Sequence, residues 1–403
     1  MTVEFTYDRL AEACSPGGAS VLTAVTELAP AAGPHAAVAP ARYVSGNQAT
    51  YAFETRYIDD APSAVVLIDS KPSQLNRVEQ ALADAIRDQD PILVRTPRIV
   101  VHYPERDLAD FEAPHRAFDG HIRAAMVDGK SVTQHPRYRA ARDATPGDAR
   151  ALLTLSPVSL VLGAWDSTRR SNQGRYRSAL VGEIIGVLAD QSGNGTAVPK
   201  RGGARRDEIA PSVRVSPDDL DALVTAQEAE LSPKNVEALR KAAEKARKGK
   251  QGTVSAAALG LGSIPPSLDT LGLVACRRII RSHVLSFSAL RQLRFGGPLE
   301  ADVACRTLLA ALALAALARA NEELLLRANC DLVEVSAPEF KLDLRNGRAE
   351  TIEPLDRGRS DALLTRAIDR AIDVAGIDWT GQVFEVVGNP IVHGGTIAEE
   401  EDE

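Results

Sequence analysis

The chain has 403 residues, 44% apolar and 25% charged, with a formal net charge of -7. That length suggests two or three units, and the composition fits a globular protein whose core is built from Ala, Leu, Val and Ile, since aromatics make up only 4%. Four cysteines (Cys14, Cys276, Cys305, Cys330) and seven histidines are scattered without CxxC, HxxxH or HExxH spacing, which argues against a zinc site and a disulfide framework. Met1 to Leu10 carries charges and lacks the apolar run of a signal peptide, so a reducing cytoplasm and core thiols are expected.

In chain order, residues 1–60 mix Gly, Pro and Ala with β-favouring pieces such as Ala49 to Tyr57. Ala64 to Ile68 is a continuous apolar run, expected as a buried strand. Pro72 then opens a helix with Leu75, Val78, Leu82, Ala85 and Ile86 on one face. Ile92 to His102 is β-rich but broken by Pro97, which predicts an edge or bulged strand. Arg106 to Asp148 is polar and expected to be irregular. Val158 to Ala164 reads as a second buried strand, and Ala179 to Leu188 as a helix with Leu180, Ile184 and Leu188 in register.

Ser192 to Pro211 reads as a loop carrying Lys200, Arg201, Gly202, Gly203, Arg205 and Arg206. Ser216-Pro217-Asp218-Asp219 and Ser232-Pro233 both start helices, with a serine cap and proline in the first turn. The second is very polar, ends near Gly249 and reads as a solvated insertion. A long helix covers Asp302 to Arg327. Its most apolar part, Leu308 to Ala318, falls short of the roughly 20 residues that span a bilayer and lies between Arg306 and Arg319, so a buried helix is expected. Phe340 to Leu355 reads as a hairpin around Asn346-Gly347. A helix from Ser360 closes at Gly376, a last strand covers Val383 to Val387, and the acidic tail from Glu399 is expected to be disordered. The class is α+β.

The densest chemistry lies in Trp165 to Ser178 (WDSTRRSNQGRYRS). Arg169, Arg170, Arg175 and Arg177 share a connection with Asn172, Gln173 and Gly174, and no acid follows Asp166. Guanidinium groups are always charged and their fork matches phosphate oxygens, so this cluster suits a polyanion, with Tyr176 available to stack on a base. As a helix N-terminus, the segment would set arginines against the macrodipole, a cost that an anionic partner relieves.

Three other groups carry two readings each. In Asp69 to Arg77, Ser73, Gln74, Asn76 and Arg77 suit a phosphate or a ribose hydroxyl, and Ser70 or Ser73 equally serves as an ordinary cap. In Arg277 to Phe295, the arginines either line the same groove or, for Arg291 and Arg294, form the outer face of a short helix whose inner face is Phe287, Leu290 and Leu293. His115, Asp119 and His121 offer a His–Asp pair for catalysis or metal binding, but their spacing fits no metal pattern and they read as a hydrogen-bonded structural cluster. Gly260 to Pro266 is no P-loop, because no Gly-Lys-Ser/Thr follows. Lys234 to Lys250 interleaves Glu237 and Glu244 and reads as a solvated face.

The ordered segments LIDSKPSQLNRVEQAL (Leu67 to Leu82), APHRAFDGHI (Ala113 to Ile122), SLVLGAWDS (Ser159 to Ser167), RYRSALVGEIIG (Arg175 to Gly186), GLGSIPPS (Gly260 to Ser267) and LSFSALRQLRF (Leu285 to Phe295) resemble the backbone subunit of type I-U (I-G) CRISPR effector complexes. That is the Csb-one branch of the Cas-seven RAMP family. The resemblance implies an RRM-like, ferredoxin-like core with large insertions. It would comprise residues 63–191 and 252–390, behind a β-rich segment 1–62, with an inserted basic loop and helices at 192–251 and an acidic tail at 391–403. It implies a non-catalytic, cofactor-free subunit that polymerises with its own copies along a CRISPR guide RNA, alongside other Cascade subunits and a target DNA, with no membrane.

On this reading Ser73, Gln74, Asn76, Arg77, Arg169, Arg170, Asn172, Gln173, Arg175, Tyr176, Arg177, Arg291 and Arg294 face RNA. Either Arg169–Arg175 or Ser192–Lys250 is the protruding element that displaces nucleotides in such subunits. The aromatics that stack bases in RRM domains are not recognisable. Some relatives cut their target with a loop aspartate, for which Asp119 and Asp166 are the formal candidates, but the resemblance is to the non-cleaving branch. The alternatives are a metal-independent RNA endonuclease processing CRISPR transcripts, with His115 or His283 as acid/base, and a metabolic enzyme whose arginines hold a phosphorylated small molecule.

Overall fold

Alternate burial marks the first long strand, β1 (Val21–Pro30), in which Leu22, Ala24, Thr26 and Leu28 are buried between more exposed neighbours. The computed structural model describes residues 2–46, 48–170, 173–203, 213–249, 252–262 and 267–393. Strands β2 (Phe53–Ile58) and β3 (Ala61–Asp69) form a hairpin whose two turn residues, Asp59 and Asp60, both take positive φ, as a tight two-residue turn requires. Helix α1 (Lys71–Arg87) starts as expected, with Ser70 capping it and Pro72 in its first turn, and it buries Val78, Leu82 and Ile86.

Strand β4 (Arg98–His102) departs from expectation: it is neither an edge nor bulged. It begins just after Pro97, so the missing N–H falls outside the ladder, and it lies between the strand Asp107–Ala109 and a parallel strand from the C-terminus. Residues 106–148 hold several short helices and strands. Two elements are the reverse of what their sequences suggested. Residues 157–161 form a short helix, α2 (Pro157–Val161), and residues 180–188 form a strand, β5 (Leu180–Leu188).

The chain divides into two compact units, Met1–Ala197 with Val274–Glu403, and Val198–Leu273. The smaller unit extends past the expected boundary at 251. Its helices α3 (Pro217–Gln227) and α4 (Pro233–Lys248) start at Ser216 and Ser232, whose hydroxyls accept from Asp219 N and Asn235 N. Helix α4 has a solvated face, yet it buries Val236, Leu239 and Ala243 against Leu220 and Val224. Strands Lys200–Gly203 and Ser267–Leu271 pair as the unit's stem, and Gly272 N donates to Pro199 O at 2.6 Å. Arg205, Arg206 and the turn at 263–266 lie outside the described residues.

The larger unit resumes with β6 (Cys276–Ser286), α5 (Leu299–Glu323), β7 (Glu339–Asp343), β8 (Ala349–Ile352), α6 (Arg357–Ala375) and β9 (Val383–Val387). Its main sheet runs β8-β7-β1-β6-β5-β3-β2, with Leu332–Glu334 also pairing β1. Within it, β7-β1-β6-β5 reproduces the antiparallel strand order of an RRM-like sheet, with α5 connecting β6 to β7. The first helix, α1, enters from the extra hairpin at β3 instead of directly from β1. The N-terminal β-rich segment is therefore part of this core, because β1 occupies its centre.

Helices α1, α5 and α6 cover one sheet face, packing Leu82, Leu312 and Leu364 with Leu22, Leu180 and Leu285 in one core. Helix α5 is buried through Leu308 to Ala318, as expected. The arginines bracketing that stretch are buried too: Arg306 donates to Leu293 O, and Arg319 pairs with Asp90 (2.6 Å) and Asp361 (2.7 Å). All four cysteines are free, and burial pushes the thiols of Cys14, Cys276 and Cys305 up to about 12. Of the tail expected at 391–403, residues 391–393 belong to a short helix (Pro390–His393), and residues 394–403 lie outside the described residues.

Candidate nucleic-acid interface

Two residues past the end of α2, Gly163 turns the chain with φ +87. A Cβ there would lie 2.9 Å from Ser178 N and 3.0 Å from Tyr176 O, so the close approach requires glycine. The chain then forms a short ribbon in which Ala164 pairs with Tyr176 and Trp165 with Arg175, and Asp166 N donates to Gly174 O at 2.9 Å. Side chains hold this ribbon from beneath. Asp166 is buried and pairs with Arg142 Nε at 2.6 Å, while Arg169 donates to Asp143 (2.6 Å) and to Arg142 O (3.0 Å). Arg123 donates to Thr168 Oγ1, and Gln173 to Arg169 O at 2.6 Å. Arg116 joins the ribbon to α1: it donates to Gly163 O at 2.8 Å and pairs with Glu79 at 2.6 Å. Burial raises the Glu79 carboxyl, and the Arg116 charge opposes that.

The pleat decides what faces outward. Ala164, Asp166 and Tyr176 are buried, and Trp165, Arg175 and Arg177 are exposed. Arg170 and Arg177 make no ion pair or hydrogen bond among the described residues, and Arg175 places its guanidinium carbon 5.3 Å from the Trp165 ring centroid. Tyr176 does not supply a stacking surface. Its ring lies 6.4 Å from that of Phe118 in a stacked arrangement, and burial pushes its hydroxyl up to about 12. Arg169 is committed to the ribbon's own support, and Asn172 lies outside the described residues.

Residues 22–191 match the family model described as CRISPR-associated protein GSU0053 (Cas_GSU0053). This stretch relates the chain to a CRISPR-associated protein family. It runs from β1 through β5 and contains the whole ribbon. No curated protein matches the sequence.

The corner between β3 and α1 also lies in the matched stretch, but two of its four candidate residues face inward. Ser73 and Gln74 are buried. Ser73 N donates to the capping Ser70 Oγ at 3.5 Å, and Gln74 Nε2 donates to the buried Asp69 carboxylate at 2.5 Å. Of the four candidates, only Asn76 and Arg77 reach the surface, and Arg77 Nη2 donates to Asn76 Oδ1 at 2.8 Å. Capping is therefore what Ser70 does here.

Beyond the matched stretch, Arg291 is no outer-face residue. It donates to Ala19 O at 2.8 Å and to Ala13 O, which ties the turn after β6 to a short N-terminal helix, Tyr7–Cys14. Arg294 pairs with Asp302 at 3.0 Å while half of its side chain stays exposed. Phe287, Leu290 and Leu293 are buried as the inner face.

The remaining candidates are held structurally. Asp119 is buried and accepts the backbone N–H groups of His115 (3.1 Å) and His121 (2.9 Å), and His121 Nδ1 meets Tyr103 Oη at 2.7 Å. His283 is buried opposite Gly182, with its imidazole pushed down to about 3 by burial and then by Arg281. Arg281 is 1% exposed, bonded to Thr26 Oγ1 and Glu334. On the sheet face away from the helices, β1 and β6 present Thr23, Val25, Ile280, Ser282 and Val284, with no aromatic among them. Among the described residues, no group of three or more His, Cys, Asp or Glu is placed to hold a metal.

The signal that sequence reasoning missed is Trp165. Strand alternation from the buried Ala164 and Asp166 would have turned it outward.

Proposed function

We propose that this chain is a non-catalytic, guide-RNA-binding backbone subunit of a cytoplasmic Cascade-like CRISPR interference complex of type I-U (I-G). It polymerises along the guide with other copies of itself and supports recognition of a target DNA. The observation that carries this reading is the ribbon. Arg170, Arg175 and Arg177 stand outward with no carboxylate partner among the described residues, on a chain of net charge -7, inside the stretch that matches a CRISPR-associated family. Cations arranged in this way bind a phosphate backbone by releasing its counterions and read no bases. Sequence recognition then falls to base pairing by the guide.

A non-catalytic role is supported by what the candidate acids and bases are doing. Asp166 is neutralised by Arg142, Asp119 caps backbone, and His283 stays neutral and buried at physiological pH. The test is the salt dependence of RNA binding. Arg170→Ala and Arg177→Ala should each lower the slope of log K against log salt by about 0.7, the value for one single-strand phosphate contact. An unchanged slope in both variants would remove the ribbon from the interface. Purified chain free of nucleic acid, whose mass stays monomeric when RNA is added, would count against the whole reading.

A further inference from the structure

We infer that Trp165 is the stacking platform of this ribbon: a nucleobase of the bound single strand lies on its exposed indole while the neighbouring arginines hold the flanking phosphates. The inference rests on the RNA-binding reading and adds a contact to bases that the arginines do not make. The chain has two tryptophans. Trp379 is fully buried, whereas Trp165 is 51% exposed. A large aromatic surface left in water forgoes the burial that normally stabilises such a side chain, and here it lies on the segment that carries Arg170, Arg175 and Arg177, with Arg175 against its ring.

The exposure is built into the ribbon. Ala164 and the ion-paired Asp166 are buried on either side, so the pleat turns Trp165 outward. Arg175, its cross-strand partner, lies against the ring at 5.3 Å. That contact restricts the indole before any ligand arrives, so little rotamer freedom remains to be lost on stacking. Tyr176 faces the other way, against Phe118, and the central sheet strands offer no aromatic on their open face. Stacking tolerates any base, which suits a protein that leaves sequence reading to base pairing.

The test uses two probes of equal length, an oligoadenylate and an abasic ribose-phosphate oligomer, with intrinsic fluorescence and affinity as readouts. Trp379 is shielded, so a change in emission on binding reports Trp165. The oligoadenylate should quench the emission and bind on the order of tenfold more tightly than the abasic oligomer. Trp165→Ala should abolish both the quench and the preference, and Trp165→Phe should keep part of the preference. Arg177→Ala should weaken both probes by the same factor. If the parent protein binds both probes equally and its emission does not change, the stacking role is overturned while phosphate binding stands. If it binds neither, the RNA-binding reading falls and the stacking role with it. Should Trp165→Ala fail to fold, the parent's quench and its preference decide alone.

Discussion

Two buried titratable groups pull the stability of this fold in opposite directions as pH changes. Asp110 is fully buried, accepting from Ile99 N at 3.3 Å and from Ser156 Oγ, and burial pushes its carboxyl up to about 7. The folded state therefore holds a proton that the unfolded chain releases above about pH 4, and stability falls as pH rises from there to about 7. His283 does the reverse. With its imidazole pushed down to about 3, the unfolded chain binds the extra proton, so stability is lost as pH falls from 6.5. Between about pH 4 and 6.5 the two slopes oppose each other. Asp110→Asn should unmask the His283 slope. Chemical denaturation of variant and parent across that range should show their stability difference changing by about 1 kcal/mol per pH unit in favour of the variant as pH rises. A constant difference would mean that Asp110 is ionised in the fold. Nothing in the sequence around Asp110 marks it for this role: only its distance from water does, and that is a property of the assembled core.

At the scale of elements, the junction of α2, the ribbon and β5 shows both what the sequence carries and where it misleads. Leu180, Ile184 and Leu188 lie four apart, which satisfies one face of a helix and also one face of a strand, because four is a multiple of two. Val181, Ile184, Ile185 and Val187 are β-branched, and Gly182 and Gly186 weaken a helix, so composition favours the strand that forms. Residues 156 and 157 repeat the Ser-Pro start seen at 216 and 232, which marks α2 as a helix. With both elements exchanged, the arginines sit on a β-ribbon, and the helix macrodipole plays no part in their cost. Their outward exposure is the reason to assign them a partner. The amphipathic helices α1 and α6 and the hairpin at Asn346-Gly347 were legible because turn chemistry and hydrophobic period agreed, and α5 was legible from its unbroken Ala- and Leu-rich run, which is buried on every side. The inward roles of Ser73, Gln74 and Arg291 were not, since each depends on a partner distant in sequence or on the path of the next turn. Gly163→Ala tests the junction. The alanine would need a positive φ and would press on Ser178 N and Tyr176 O, at a cost of about 1–3 kcal/mol. Thermal unfolding should register that loss, and RNA affinity should fall because the ribbon is displaced. Unchanged stability would show that the turn relaxes freely.

At the scale of the molecule, the unit Val198–Leu273 interrupts a hairpin. Strands β5 and β6 pair from Leu180↔Leu285 to Leu188↔Cys276, and the whole insertion lies between them in the chain. The insertion has its own core and closes its own stem at Pro199 and Gly272. Replacing 198–273 with a short glycine-rich turn should leave a folded larger unit, with a cooperative thermal transition within a few degrees of the parent and strand content retained by circular dichroism. Loss of the cooperative transition would show that the sheet depends on the insertion.

The same connectivity bears on how the chain reaches its fold during synthesis. The insertion leaves the ribosome before β6 exists. If its stem closes at once, the two arms that remain, from Leu188 to Pro199 and from Gly272 to Cys276, are short, and the central ladder can zip as an ordinary hairpin. Were the stem still open, β6 would have to find β5 across the entire unstructured insertion, and the entropy of closing that loop would delay the strand on which the rest of the sheet is assembled.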